Sequence, residues 1–147
     1  MPIDLQQVYD YLVNGGLISL ATCEDGQPRV RPVSLIADGR EFYIISFSDR
    51  DKVRQLENND RFEFFFGIKV GESWGSIRAS GNAVKIEEEE IDQELVDMIP
   101  LFNDRADSEE VEYTLIRLDI EELKVQDPED RKVHRFVVRR ESVPSAD

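Results

Sequence analysis

Two Asp-Gly pairs, Asp25-Gly26 and Asp38-Gly39, do most to limit what this chain can fold into. Each separates short apolar runs, and a glycine that tolerates positive φ suits the tight turn of a hairpin. LISLAT, RVRPVSLI and EFYIISF (17–22, 29–36 and 41–47) are therefore predicted to form three consecutive antiparallel strands. A phenylalanine-rich strand, RFEFFFGIKV (61–70), and a long strand, WGSIRASGNAVKI (74–86), should follow. The long strand should bend at Gly81, since glycine inside a strand marks a bulge or a close approach. VEYTLIRLDIEEL (111–123) alternates through Val111, Tyr113 and Leu115, then Leu118 and Ile120, and KVHRFVVRR (132–140) is read as an added edge strand. Strands joined by tight turns gain from closing into a small antiparallel barrel, which removes exposed edges.

Three helices punctuate this pattern. Asp4 and Gln7 form a capping box ahead of Leu5, Val8, Tyr9 and Leu12, and Gly15-Gly16 stops the helix. SDRDKVRQLENND (48–60) is predicted to be a short helix with Val53 and Leu56 inward and Ser48 or Asp49 as cap. EEEEIDQELVDMIPLF (87–102) reads as one helix, buried through Ile91, Leu95, Met98 and Ile99 and ended by Pro100. The fold class is thus mainly β with short helices. It is expected to be a single domain over 1–147, with its core at roughly 3–125 and an edge segment at 126–147.

Composition narrows the function classes. With 40% hydrophobic and 34% charged residues in 147, the chain has the make-up of a globular domain large enough for its own core. Its net charge of −14 argues against broad nucleic-acid binding. The lone Cys23 allows no intrachain disulfide or cysteine zinc site. No basic start followed by an apolar stretch marks a signal peptide, and no run reaches membrane-spanning length. The expected location is cytoplasmic.

In so acidic a chain, clustered cations are informative. Arg29 and Arg31 share one side of an extended strand, and Pro32 follows where a ladder would need an N–H. The start of the second helix carries Ser46, Ser48, Arg50, Lys52 and Arg54. Lys52 sits in the first turn, where a cation opposes the helix dipole unless an anion shares the site. A surface helix with ion pairs to Asp49 and Asp51 is the plainer explanation. The sharper one is a phosphate clamp, with antiparallel pairing bringing Arg31 near Ser46 so that guanidinium, hydroxyl and ammonium converge.

Taken together, GQPRVRPVSL, FYIISFSDRDKVRQLENNDRFEFFF and WGSIRASGNAVKI resemble the FMN-binding split barrels of the pyridoxamine 5′-phosphate oxidase superfamily. The likeness is to its short general-stress and nitroimidazole-resistance branch and spans roughly residues 3 to 125. It implies a six-stranded antiparallel Greek-key split β-barrel and FMN as cofactor. It places Arg31 on the flavin phosphate and runs Pro32, Val33 and Ser34 beneath the ring. Ile45 and Ser46 match next-strand positions that touch the cofactor. Lys52, with Arg50 and Asp51, matches the segment closing over the phosphate, and Ser76 matches a polar residue facing the ring. Trp74 is divided between stacking on flavin and filling a dimer groove. The resemblance also implies a homodimer with the cofactor at the subunit interface, and a flavin that takes electrons from a nicotinamide or another reductant. A quinone or nitro compound would then be the small acceptor. A non-catalytic flavin-binding protein for storage or redox sensing is the alternative, and a heme- or deazaflavin-binding barrel is another.

The chain departs from the true oxidase in two places. Ile36 stands where the oxidase has a phosphate-binding lysine, and KVHRFVVRRESVPSAD does not reproduce the oxidase's substrate-binding tail. Vitamin B6 oxidation is therefore not expected. Arg29 takes no family role. His134, the sole histidine, is read as an ordinary surface residue, and Glu87–Glu90 as a solvated helix start rather than a cation site, so no metal is expected.

Overall fold

The computed structural model describes residues 3–99 and 112–138. Its elements run α1 (Leu5–Val13), β1 (Gly16–Glu24), β2 (Gln27–Asp38), β3 (Glu41–Phe47), α2 (Asp51–Asn58), β4 (Arg61–Val70), β5 (Ser73–Ile86), α3 (Gln93–Met98), β6 (Tyr113–Gln126) and β7 (Val133–Val137). Both Asp-Gly pairs form the expected turns, with Gly26 at φ 80° and Gly39 at φ 61°. The strand order is β3-β2-β1-β4-β5-β6-β7, and a further pairing of β3 with β6 closes the ring. Three hairpin-linked strands and a fourth that returns beside the first make a Greek key. The fold is a six-stranded antiparallel split barrel with β7 added to its edge.

The split lies in how two strands share partners. One edge of β6 serves β3 over Tyr113–Arg117 and β7 over Glu122–Gln126, while β5 lines the other. β2 pairs with β1 over Gln27–Leu35 but with β3 only over Ile36–Asp38. The stretch bearing Arg31 and Pro32 therefore has a ladder on one edge only among the described residues. That is the setting in which a strand tolerates proline.

Alternation fixes the two faces. Ile18 and Leu20 of β1, Val33 and Leu35 of β2, Phe42 and Ile44 of β3, Phe62 and Phe64 of β4, and Ile77 and Ala79 of β5 fill the barrel. Val8, Tyr9 and Leu12 of α1 join them, held by the predicted capping box. A second cluster (Ile86, Leu95, Ile99 and Leu115) packs outside the wall, with Ile36, Tyr43 and Ile45 against it.

Two helix expectations change. The residue capping α2 is Arg50, with no side-chain cap bond. Ser48 is spent elsewhere: its N–H donates to Glu112 O at 2.9 Å and its hydroxyl bonds Thr114 Oγ1 at 2.6 Å, tying the end of β3 to β6. The single helix read at 87–102 is instead a 3₁₀ turn over Glu88–Glu90 followed by α3. Adjacent carboxylates repel in one turn, and Asp92 restarts the helix by accepting from Leu95 N at 2.8 Å. Met98 is exposed rather than buried. Pro100, Val111, Arg139 and Arg140 lie outside the described residues.

The bend at Gly81 is present as a register shift between Ser80 and Gly81. A Cβ added there would collide with the Asp119 carbonyl of β6. Gly81→Ala is accordingly expected to destabilise the protein by at least ~1–3 kcal/mol, the range for overpacking, as read by chemical denaturation. An unchanged midpoint would show that the strands can separate there at no cost.

Candidate functional site

At the end of the barrel where β1 finishes, the inward alternation turns polar. Leu20 gives way to Thr22 on β1, and Val33 gives way to Arg31 on β2. The register aligns Leu20 with Arg31. Arg31 Nη1 donates to Thr22 Oγ1 at 2.7 Å and Leu20 O at 3.3 Å, and Nη2 donates to Gln55 Oε1 at 2.6 Å. Gln55, on α2 between the buried Val53 and Leu56, is only 3% exposed. Thr22 Oγ1 also donates to Gln55 Oε1 at 2.6 Å. Every acceptor on Arg31 is thus electrically neutral. Of its five donors, Nε–H and one Nη2–H keep no partner among the described residues.

Lys52 completes the cationic group. The residue is half-buried, and its ammonium makes no hydrogen bond or ion pair among the described residues. Burial holds Lys52 below the usual lysine range, repulsion from Arg31 and Arg50 lowers it further, and Asp51 pulls the other way. Burial likewise depresses Arg31, with Asp51 opposing and Arg29 adding to the effect. These charges sit close enough to repel, in a chain of net charge −14. Arg50 lies over the Phe47 ring at 5.3 Å, and Phe47 stacks on Tyr113 at 4.9 Å. Asp51 is taken up by Arg54 at 3.1 Å.

The remaining candidate residues take other positions. Pro32 and Ser34 are exposed on the outer face of β2, with Val33 between them in the core. Trp74 and Ser76 lie on the outer face of β5, and Lys69 sits 5.1 Å from the Trp74 ring. Ile45 packs under α3 in the outer cluster. Ser46 is buried and donates to Phe47 O at 3.0 Å. It does not supply the hydroxyl on Arg31, because β2 and β3 separate before their ladder reaches that far; Thr22 does so instead. Clefts of about 280, 730 and 360 Å³ open elsewhere on the surface, and none is lined by Arg31 or Lys52.

Thr22 and Gln55 were not singled out from sequence. The signal was a polar residue at a buried position of an otherwise apolar alternation, which is informative wherever it occurs. His134 is also more than a plain surface residue. Its Nε2 lies 2.8 Å from Asp130 Oδ2, and the ligating atoms of Asp127, Asp130 and His134 fall within 4.8 Å of one another. Asp127 and Asp130 also accept from Glu129 N and Lys132 N, so the group builds the β6–β7 turn.

The pyridoxamine 5′-phosphate oxidase family profile matches residues 6–127. The chain belongs to this family. The match covers the barrel from α1 through β6, and β7 lies beyond it. No functionally curated protein matches the chain. Solved structures share the family's fold at low identity. An FAD-binding protein from Mesorhizobium loti is 18% identical with a TM-score of 0.69, over 84% of this chain and 92% of that one. A NimC/NimA family protein from Clostridium acetobutylicum is 18% identical with a TM-score of 0.68, over 91% and 92%. A heme-binding protein from Mycobacterium smegmatis is 14% identical with a TM-score of 0.65, over 82% of this chain and 52% of that one. Among the described residues, no helix is long and apolar enough to cross a membrane.

Proposed function

We propose that this family member binds FMN as a homodimer and acts as an oxidoreductase, passing electrons from a nicotinamide or other reductant to a small quinone or nitro acceptor. The observation that carries the reading is the cation group at the barrel rim. Arg31 is held by neutral partners only, and Lys52 makes no ion pair among the described residues. A phosphate monoester fits such a seat, since it offers several acceptors and up to two negative charges. Arg31 and Lys52 would hold the phosphate, with Arg50 and Asp51 flanking it. Pro32, Val33, Ser34, Ile45 and Ser46 would line the path of the ring. Trp74 and Ser76 would meet it on the outer sheet face. A bound flavin supplies the hydride and electron chemistry, so no protein nucleophile is needed. The FAD-binding neighbour supports a flavin over other phosphorylated ligands.

The absorption spectrum of the purified protein tests this directly. A flavin spectrum is expected, released as FMN on denaturation, and a Soret band would overturn the reading in favour of heme. Anaerobic reduction by NADH or NADPH, followed by reoxidation with a quinone or nitro compound, separates an enzyme from a storage or sensing protein.

Pyridoxamine 5′-phosphate is expected to be turned over poorly or not at all. Ile36 packs against the apolar cluster beneath α3 and offers no cation for that substrate's phosphate. Sustained hydrogen peroxide release with this substrate would reverse that conclusion.

A further inference from the structure

We infer that Gln55 is a positioning residue that keeps the charge of Arg31 unspent for a phosphate dianion by insulating it from Glu24; this rests on the FMN reading above. Five side chains form a chain of contacts in which each role is chemically forced. Arg54 Nη2 donates to Glu24 Oε1 at 2.8 Å, and Gln55 Nε2 donates to Glu24 Oε2 at 3.0 Å. Gln55 Oε1 then accepts from both Arg31 and Thr22. A carboxylate can only accept and a guanidinium can only donate, so the amide has one orientation that satisfies both neighbours. Glu24 is answered by Arg54 and held below the usual carboxyl range by it. Arg31 meets the amide oxygen, the Thr22 hydroxyl and the Leu20 carbonyl, all of them neutral. An acid at position 55 would give Arg31 a counter-ion of its own, and an incoming phosphate would have to compete with it.

The amide does a second thing. Gln55 lies one helical turn after Lys52 on α2, while Arg31 belongs to β2. The Gln55–Arg31 bond therefore ties together the two elements that carry the two cations. A buried residue with partners on both sides holds this spacing better than exposed ion pairs would.

The decisive variant exchanges the two groups: Glu24→Gln with Gln55→Glu. Net charge stays the same, and each hydrogen bond of the relay has a counterpart, but the carboxylate now faces Arg31. The swapped protein should melt close to wild type. Its FMN affinity should fall by about tenfold or more, riboflavin affinity should stay within about twofold, and the rise in Tm on adding inorganic phosphate to apoprotein should vanish. Gln55→Met removes the acceptor without adding charge, and should weaken FMN less than the swap does.

A swap that binds FMN as tightly as wild type overturns the insulating role, as does one that costs no more than Gln55→Met. Equal losses for FMN and riboflavin would assign Gln55 to general packing and overturn it as well. If the swap fails to fold, Gln55→Met decides: it must lower the preference for FMN over riboflavin, or the role is lost. A wild type that responds neither to phosphate nor to FMN over riboflavin would remove the phosphate seat itself. That outcome is distinct from a seat that survives the exchange.

Discussion

Lys52→Ala is expected to weaken FMN binding by about 1.5–3 kcal/mol, roughly ten- to 150-fold, the range for a charge-assisted contact. Riboflavin, which lacks the phosphate, should bind less tightly to wild type and be nearly indifferent to the change. Arg31→Ala should cost a similar amount but also strip one donor each from Thr22 and Gln55, which keep only their bond to each other and the one to Glu24, so Lys52 gives the cleaner measurement. The same substitution should leave the apoprotein as stable as wild type or slightly more so. Burial and repulsion from Arg31 and Arg50 lower Lys52 from its ordinary 10.5, so below its folded value the ammonium is charged in both states and strained only in the folded one. That cost is fully present below the folded value and is relieved as pH rises through it toward 10.5. The stability gap between variant and wild-type apoprotein should therefore close at alkaline pH. Lys52 is partly solvated, which keeps the gap small. Equal FMN affinity in wild type and an Arg31→Ala/Lys52→Ala double variant would remove the seat.

Phe65→Asp is expected to abolish the dimer and, with it, most of the affinity for FMN. The register places Pro32, Ser19, Phe65 and Arg78 side by side on the outer sheet face. Leu17 at 68%, Val30 at 69%, Phe65 at 48% and Trp74 at 59% exposure share that face. Several large exposed apolar side chains on one sheet face suit an interaction site, and a self-complementary pairing of two such faces is the commonest closed assembly. A ring lying over Pro32 and Ser34 would stay wet in a monomer. A second subunit would bury it, so FMN should stabilise the dimer by linkage. Light scattering should give a dimer for wild type and a monomer for Phe65→Asp, with unchanged circular dichroism because Phe65 does not enter the barrel core. Loss of FMN affinity should be at least about tenfold. Trp74→Ala should loosen dimer and cofactor together, whereas a pure packing role would affect the dimer alone. A wild type that is monomeric at micromolar concentration yet binds FMN tightly would overturn the shared cleft.

Where local chemistry decides, the sequence was legible. Asp25-Gly26 and Asp38-Gly39 admit few conformations other than tight turns, period-two alternation can bury only one face, and the Asp4–Gln7 box needs no distant partner. These set the strands, their faces and α1. The cations at 31, 50 and 52 stood out because the rest of the chain is so acidic. Tertiary structure decided what depends on residues far apart in the chain. Ser48 could not cap α2 because β6 claims it, and Ser46 could not reach Arg31 because β3 leaves β2 for β6. The partners of Arg31 come from β1 and α2, and turn a polar alternation on one strand and a glutamine on one helix into a neutral cradle for a positive charge. Charge can be counted along a sequence. Whether a charge is spent on a neighbour is settled only by the neighbours that folding brings to it.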